Sequence, residues 1–422
     1  MKVLFTSLPH PTHYYPMVPI AWALRTAGHE VRVASQAQLV DTIAGTGLTV
    51  VPVEWSLDSP DDLLARIWDE GSAYVQGFDF TASGGVGWTW ESLLALENIM
   101  VPTLYAALSN DEMVDDLVAF ARVWRPDLVL WDPYTLAGAI VAKAAGAAHA
   151  RIVSGPEVAP LARREFLRLA RELPPEHRED PTAEWLGWTL ERLGCGPFDE
   201  DMVTGQWTID STPAGMRGDL GLRTVPVRFV PYHGASSVPA WLREPPARPR
   251  VCVTLGAGGS DFGEEPLPMI LRGLASLGDI EVVATVNESQ REQLGELPDS
   301  VRLVDFVPLT DLLPTCSAVV HHGGNGTRST AELHGVPQLL LTFGWQTEAT
   351  ADRIEAIGAG LQAPLSGLTA EAVAAKVGRL LTEPSFAENA KRLQAEVADM
   401  ATPNDIVPQL EKLTAEHRYR PV

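Results

Sequence analysis

One short stretch says most about the fold and ligand of this chain: His321-His322-Gly323-Gly324-Asn325-Gly326-Thr327. An apolar run, Ser317–Val320, precedes it, and a helical pattern, Arg328–Leu333, follows it. In a parallel α/β sheet, a strand, a glycine-rich turn and a helix start present backbone N–H groups and a helix dipole to an anion. The stretch therefore predicts a phosphate-bearing ligand at this turn. An ordinary strand-to-helix turn with two structural histidines is the alternative.

The glycine spacing differs from the common phosphate motifs. No Lys follows the last glycine, as a P-loop requires, and the pattern is not G-x-G-x-x-G. A second glycine-rich turn, Gly256–Ser260, also follows a strand-like run, but its third glycine is misplaced for a nicotinamide site. We interpret this second turn as a flexible strand-to-helix turn that contacts the ligand through Gly258.

Length and charge exclude several classes of protein. A chain of 422 residues is longer than one hydrophobic core usually supports, which predicts two domains. The net charge of −22 argues against nucleic acid or an anionic membrane as a partner. Three scattered cysteines are too few for a disulfide framework or a zinc site. We therefore expect no structural metal. No signal peptide or membrane-spanning run is evident, so we expect a cytoplasmic protein.

Strand and helix patterns alternate in both halves of the chain. In the first half, apolar or alternating runs predict strands at 2–7, 30–34, 48–53 and 128–131, with helices at 17–27 and 135–146. In the second half, similar runs predict strands at 251–255, 280–285, 301–307 and 338–341, with helices at 267–277 and 348–357. This alternation predicts an α/β fold of two Rossmann-like, doubly wound parallel-sheet domains that face each other across a cleft.

Composition places the domain boundaries. We expect an N-terminal domain over 1–232 with a charged helical insertion at about 156–205. Residues 233–249 are rich in proline, glycine and serine, and we interpret them as the linker. The C-terminal domain is expected over 250–402. The amphipathic pattern near the end predicts a helix at about 403–418 that packs back on the first domain.

Two side chains in the first half suggest an acid–base pair. His13 lies in the loop after the first strand, and Asp132 directly follows the strand at 128–131. Side chains at the carboxyl ends of parallel strands share one edge of the sheet, and a carboxylate there raises the basicity of an imidazole and fixes its tautomer. The alternatives are a solvated loop histidine and an aspartate that caps the following helix.

Further motifs carry a family resemblance. They include Trp22-Ala23-Leu24-Arg25, Trp124-Arg125-Pro126-Asp127, His177-Arg178-Glu179-Asp180-Pro181 and Gly335-Val336-Pro337-Gln338. Together with the histidine–glycine turn, they make the chain resemble family 1 glycosyltransferases of the GT-B architecture. Within that family it looks most like the transferases that attach deoxysugars from thymidine diphosphate (TDP) donors to macrolide and other polyketide aglycones. The resemblance covers nearly the whole chain.

The resemblance implies a role for each matching residue. His13 matches the general base that deprotonates the acceptor hydroxyl, and Asp132 matches the acid that supports it. The reaction would invert the anomeric centre in one displacement and need no metal ion. The donor diphosphate would contact the turn residues, which are His321, His322, Gly323, Gly324, Asn325, Gly326 and Thr327. The nucleobase would lie at Phe306-Val307-Pro308.

Two positions depart from the pattern of related transferases that use uridine donors. Ser329 stands where those enzymes carry a glutamate that binds the ribose diol, and a thymidine donor lacks one of these hydroxyls. Gln346 and Thr347, after Trp345, stand where an aspartate–glutamine pair binds sugar hydroxyls. We expect these residues to contact the donor, and the exchange suits a sugar with fewer or altered hydroxyl groups.

The acceptor and partner assignments depend mainly on the resemblance. Aromatic residues are the natural contacts for an apolar aglycone, and we expect this role for Tyr14, Tyr15, Phe78, Trp88 and Tyr134. Core packing is the alternative for Phe78 and Trp88. The TDP-sugar is a co-substrate, and no other cofactor is expected. Relatives often need a helper protein homologous to cytochrome-type monooxygenases, which we would place on Arg163–Leu193, and a homodimer stays open.

Three other functions remain alternatives at this stage. The first is the same transfer to an anthracycline or another aromatic polyketide. The second is a non-hydrolysing nucleotide-sugar epimerase, which would want several carboxylates in its cleft. The third is a non-catalytic partner that only binds a sugar nucleotide.

Overall fold

The computed structural model describes residues 1–55, 88–256, 266–343 and 345–418. The chain divides into two compact units. The first unit comprises Met1–Ser211, Gly218–Gly234 and Ala401–Val422, and the second comprises Thr212–Arg217 and Ala235–Met400.

A parallel sheet forms the centre of the first unit, in the order β3-β2-β1-β4-β5-β6-β7. Its strands are β1 (Lys2–Thr6), β2 (Glu30–Gln36), β3 (Thr49–Val53), β4 (Leu128–Trp131), β5 (Ala148–Val153), β6 (Trp207–Asp210) and β7 (Thr224–Pro226). Strands β4 and β5 are buried along their whole length, as expected where helices cover both faces of a parallel sheet.

The strand order reverses between β1 and β4, which makes this the topological switch point of the sheet. Thr6 pairs with Trp131 at the carboxyl ends of the two strands. The backbone N–H of Asp132 then donates to the carbonyl of Thr6 at 3.0 Å, so the pairing extends one residue further. Residues that follow β1 and β4 therefore emerge next to each other.

Helices cover the sheet of the first unit. They are α1 (Pro11–Tyr14), α2 (Val18–Thr26), α3 (Val40–Gly45), α4 (Trp90–Met100), α5 (Ala106–Leu108), α6 (Asp111–Trp124), α7 (Ala137–Ala145), α8 (Ala159–Ala170), α9 (Pro181–Leu193), α10 (Asp201–Thr204) and the C-terminal α18 (Pro403–His417). A π-helical turn, Val101–Tyr105, joins α4 to α5. Helix α18 packs on α2 and β5.

The second unit repeats the same plan with the order β10-β9-β8-β11-β12-β13, all parallel. Its strands are β8 (Arg250–Thr254), β9 (Glu281–Thr285), β10 (Val301–Val304), β11 (Ala318–His321), β12 (Gln338–Thr342) and β13 (Gly360–Pro364). Its helices are α11 (Leu267–Ala275), α12 (Glu288–Gln293), α13 (Leu309–Leu312), α14 (Asn325–His334), α15 (Trp345–Ile357), α16 (Ala370–Thr382) and α17 (Pro384–Asp399). Here the switch point lies between β8 and β11.

The predicted fold class is confirmed by the two doubly wound parallel sheets. Four strands were not predicted, namely β5, β6, β7 and β13. The loop expected after β1 is instead helical, because Pro11 begins α1 and His10 caps it by accepting the N–H of Thr12. Part of the expected linker belongs to the second unit, where Leu242 is buried in an apolar cluster beside Cys252.

Among the described residues, no single helix is long and apolar enough to cross a membrane. One bent pair, Trp90–Leu108 with Asp111–Trp124, meets that test only when both parts are taken together.

Candidate functional site: residues at the two switch points

His13 and Asp132 meet at the switch point of the first unit. Nδ1 of His13 lies 2.8 Å from Oδ2 of Asp132. A carboxylate only accepts hydrogen bonds, so Nδ1 carries the proton and Nε2 keeps its lone pair. The Asp132 side chain is 6% exposed and that of His13 is 33% exposed. The imidazole therefore keeps access to a reactant, while its partner is fixed inside the protein.

The N-cap of α7 is Leu136, so Asp132 does not cap that helix, but it orders both His13 and the turn after β4. Its Oδ1 accepts the backbone N–H of Tyr134 at 2.9 Å, which orders the turn before α7, while its Oδ2 holds His13. Burial lowers the pKa of His13, but the charge of Asp132 and its hydrogen bond outweigh that effect and raise it above the usual value. The pair has the geometry of a base and its orienting acid.

The predicted acceptor residues have different surroundings. The Tyr134 ring packs edge-to-face on His13, with 5.7 Å between ring centroids. Tyr14, in contrast, is fully buried, and its hydroxyl lies 2.8 Å from Oγ1 of Thr46, so it belongs to the core and differs from the prediction. Tyr15 packs on Tyr232. Trp88 is buried as well, and Phe78 lies outside the described residues.

An apolar cluster beside Tyr134 was missed by the sequence analysis. Leu8 follows β1, and Leu104 and Leu108 come from the π-helical turn and α5. Tyr105 packs against the same cluster. Pro102, which cannot continue regular α-helical bonding, is a local sequence signal for this irregular turn.

In the second unit, the histidine–glycine turn connects β11 to α14 at the switch point. The two adjacent histidines do different things. His321 is fully buried, its Nε2 lies 2.9 Å from Oε1 of Gln338, and its Nδ1 accepts the backbone N–H of Gly323 at 3.1 Å. Burial, followed by the neighbouring His322, lowers the pKa of His321 to about 3. This neutral ring supports the turn from inside, and it differs from the predicted direct ligand.

His322 occupies a slot between two glycines. A Cβ on Gly256, at the end of β8, would lie 2.5 Å from Cε1 of His322, and a Cβ on Gly324 would lie 2.3 Å from its Nε2. The residue is only partly buried, and burial lowers the pKa of its ring to about 4. Two glycines are therefore needed to seat a neutral, partly exposed imidazole at this edge of the sheet.

The helix after the turn begins at a place suited to an anion. Gly324 is the N-cap of α14, and Asn325, Gly326 and Thr327 form its first turn, each at least partly exposed. N–H groups in a first helical turn have no partner within the helix, and they lie at the positive end of the macrodipole. This is an anion-binding arrangement built from backbone.

The other predicted donor residues divide into exposed and interior ones. Phe306 is 58% exposed, whereas Val307 is buried and Pro308 caps α13. Ser329 is buried, and its hydroxyl accepts from Arg328 at 3.1 Å, so its position differs from that of a predicted ligand contact.

Thr347 on α15 lies beside the turn, since a Cβ on Gly323 would lie 3.3 Å from its Cγ2. Its Oγ1 bonds to the backbone N–H and carbonyl of Phe343, both at 3.0 Å. Trp345 and Gln346 begin α15, but their side chains lie outside the described part of the chain, as does Gly258. Among the described residues, no group of three or more His, Cys, Asp or Glu side chains is placed to hold a metal ion.

Comparisons with known proteins agree with this arrangement. The family model described as erythromycin biosynthesis protein CIII-like, N-terminal domain, matches residues 22–256, and its C-terminal counterpart matches 269–413. The chain is 49% identical over 428 residues to 10-deoxymethynolide desosaminyltransferase of Streptomyces venezuelae, covering 100% of this chain and 99% of the relative. It is 47% identical to tylactone mycaminosyltransferase of Streptomyces fradiae, covering 99% of this chain and 93% of that one.

A solved structure shows the same fold. The crystal structure of the glycosyltransferase VinC in complex with DTDP is similar with a TM-score of 0.87 and 37% identity, covering 99% of this chain and 100% of VinC.

Proposed function

The chain belongs to the erythromycin biosynthesis protein CIII-like glycosyltransferases of GT-B fold, and we propose that it moves a deoxysugar from a TDP-sugar to a hydroxyl of a macrolide-type polyketide aglycone. The observation that carries the proposal is the pairing of His13 with Asp132 in the first unit of a chain whose second unit offers an anion-binding helix start. Such a transfer requires a base for the acceptor and a site for a diphosphate leaving group.

The glycine turn is proposed to bind the TDP diphosphate. The first-turn N–H groups of α14, from Asn325, Gly326 and Thr327, would donate to the phosphate oxygens, and the partly exposed edge of His322 would add a side-chain contact. His321 would act indirectly by holding Gly323 in place. Fixed donors of this kind stabilise the charge that develops on a leaving group without reorganising, and they require no metal ion.

His13 is proposed as the general base. Its Nε2 would take the proton of the acceptor hydroxyl while that oxygen attacks the anomeric carbon, and Asp132 would stabilise the imidazolium that forms. Attack opposite the departing diphosphate inverts the anomeric centre. The Tyr134 ring beside His13 would contact the aglycone, and we propose Tyr15, Phe78 and Trp88 as further contacts.

The exposed Phe306 is proposed as the surface on which the thymine base stacks, next to Val307 and Pro308. Aromatic faces suit this role because every nucleobase has a flat π-surface. Contacts to the sugar are proposed from residues around the turn, which are Gly258, Trp345, Gln346 and Thr347.

We also propose a helper protein homologous to cytochrome-type monooxygenases, bound to the insertion at Arg163–Leu193. An ion pair at 2.7 Å between the buried Arg163 on α8 and the partly exposed Asp180, the N-cap of α9, fixes the two helices against each other, while Trp188 on α9 is 67% exposed. An exposed tryptophan on a fixed helix is a typical protein contact.

A cytoplasmic location and a homodimer are also proposed, and light scattering tests the homodimer.

Release of TDP from a TDP-deoxysugar, followed by mass spectrometry of the product, tests the function. The assay is run with and without the helper protein. We expect TDP to be released only when a macrolactone acceptor is present, and the product to be heavier than the acceptor by one deoxysugar. Glycosylation of an anthracyclinone alone would move the acceptor to the aromatic polyketides. Release without any acceptor would favour epimerase or hydrolase chemistry, and donor binding without turnover in any arm would favour a sugar-nucleotide binding protein.

A further inference from the structure

A buried pair of opposite charges lies in the helix that begins at the glycine turn. Nη1 of Arg328 donates to Oε1 of Glu332 at 2.6 Å, and the two side chains are 0% and 1% exposed. Withdrawing both charges from water is costly, and an apolar pair of similar volume is often at least as stable. Stability alone therefore gives no reason for charges at these positions.

The order of the pair along the helix is also unfavourable for stability. Arg328 is the fourth residue of α14, near its positive N-terminal end, and Glu332 lies one turn towards the negative end. The dipole of an acidic residue followed by a basic one would oppose the helix macrodipole, whereas the dipole of Arg328 followed by Glu332 points in the same direction as the macrodipole. The field of the ion pair and the field of the helix consequently add at the N-terminus of α14.

The charge of Arg328 reaches the turn itself. His321 forms the inner support of the turn through Gly323, and the positive charge of Arg328 is one of the causes that lower the pKa of His321, after burial and His322. The guanidinium is held by Glu332 and by the hydroxyl of Ser329, so it cannot swing away from this position without breaking both bonds.

We propose that Arg328 is a positioning residue for the donor, whose buried positive charge strengthens diphosphate binding at the turn without touching the ligand. Glu332 holds the guanidinium and partly offsets its charge. The inference depends on the proposed assignment of the turn as the diphosphate site. It predicts that removing the charge of Arg328 weakens TDP binding, whereas removing the charge of Glu332 does not.

Calorimetric titration with TDP and with thymidine tests this inference on the wild type, Arg328→Met and Glu332→Gln. We expect Arg328→Met to weaken TDP binding by about tenfold, the effect typical of one charge acting within a protein, and to leave thymidine affinity unchanged. Glu332→Gln should bind TDP as tightly as the wild type or more tightly, although it leaves a buried cation less compensated and lowers the melting temperature.

A purely structural role predicts that both substitutions loosen the turn and weaken TDP binding together, and that result would overturn the inference. Unchanged affinity in Arg328→Met would also overturn it. A wild type that does not bind TDP would instead reject the diphosphate assignment itself.

Two further variants complete the design. Arg379→Met is the control. Arg379 on α16 forms an ion pair with Glu383 four residues later, as Arg328 does with Glu332, but this pair is exposed, so the substitution should leave TDP affinity unchanged. If Arg328→Met does not fold, Arg328→Met/Glu332→Leu removes both charges. This double variant should bind TDP more weakly than the wild type, and wild-type affinity in it would count against the inference.

Discussion

At the scale of single residues, the state of His13 depends on one neighbour. The charge and hydrogen bond of Asp132 raise the pKa of the imidazole against the opposing effect of burial. A general base works in its neutral form, so activity should rise with pH as the fraction of neutral His13 increases. In the proposed role of His13, the acid that makes it a stronger base would therefore also move the start of activity to higher pH.

Asp132→Asn should separate these two effects. The substitution keeps the size of the side chain but removes its charge, so the pKa of His13 falls and the rising limb of kcat/KM moves to lower pH. The plateau should fall by at least about tenfold, because an amide stabilises an imidazolium less well. The measurement is the pH profile of TDP release with acceptor present.

His13→Ala is the matched variant for this profile. It should abolish the rising limb and reduce turnover by about a hundredfold or more, while TDP affinity stays unchanged because the proposed nucleotide site lies in the other unit. If the rising limb stays at the same pH in both variants, it reports another group, and His13 does not have the proposed role.

The two histidines of the turn show what the sequence could not separate. Both His321 and His322 are possible donors to a phosphate, and the motif predicted them together. The alternation of side chains at the end of β11 directs His321 inward, where Gln338 from the neighbouring strand meets it. That partner lies 17 residues away along the chain, and only the pairing of β11 with β12 identifies it.

At the scale of secondary-structure elements, the site depends on close approach between a strand end and a helix start. Gly324 leaves room for the ring of His322 directly beside the N-terminus of α14. Its backbone has a φ of −59°, which any residue adopts. The requirement for glycine at this position is therefore one of space, not of backbone conformation.

Gly324→Ala should weaken TDP binding by about tenfold or more, because the added methyl group would displace the His322 ring and shift the helix start. Gly378→Ala, on α16, is the control: its Cβ would only contact Leu277 at 3.6 Å, and it should bind TDP normally. In a His322→Ala background, the Gly324→Ala substitution should reduce TDP affinity much less. Equal losses in both backgrounds, measured by calorimetry, would show that the methyl group blocks the ligand directly.

Strands were predictable where apolar residues run without interruption and harder to find where polar side chains are buried. β4 and β11 were predicted from such runs. β5 was missed because His149 and Arg151 interrupt it; both are buried, and Arg151 is paired with Glu157 at 2.8 Å. Partners on the neighbouring strands also make these polar residues compatible with a central strand, since Arg151 donates to Oγ1 of Thr208 on β6 at 3.1 Å and His149 accepts from Trp131 on β4 at 3.3 Å. A single sequence does not reveal these pairings.

At the scale of the whole molecule, the chain returns to its first unit after completing the second. Helix α18 inserts apolar residues into the core of the first unit, and these are Ile406, Val407, Leu410 and Leu413. Nε2 of His29, which follows α2, lies 3.0 Å from Oε1 of Glu411. The amphipathic pattern of α18 was readable from the sequence, and the sheet it packs against became evident only in the structure.

Leu410→Ala should destabilise the first unit by about 2–5 kcal/mol, the usual cost of a large cavity at a fully buried leucine. Thermal unfolding followed by circular dichroism measures the loss, and Val123→Ala, at a position 85% exposed, is the control that should leave the melting temperature nearly unchanged. Because Leu410 belongs to the first unit and the proposed diphosphate site to the second, calorimetry at a temperature where the variant is folded should give a wild-type affinity for TDP. A melting temperature equal to that of Val123→Ala would show that α18 contributes little to the core, and a weakened affinity would show that the two units are energetically coupled.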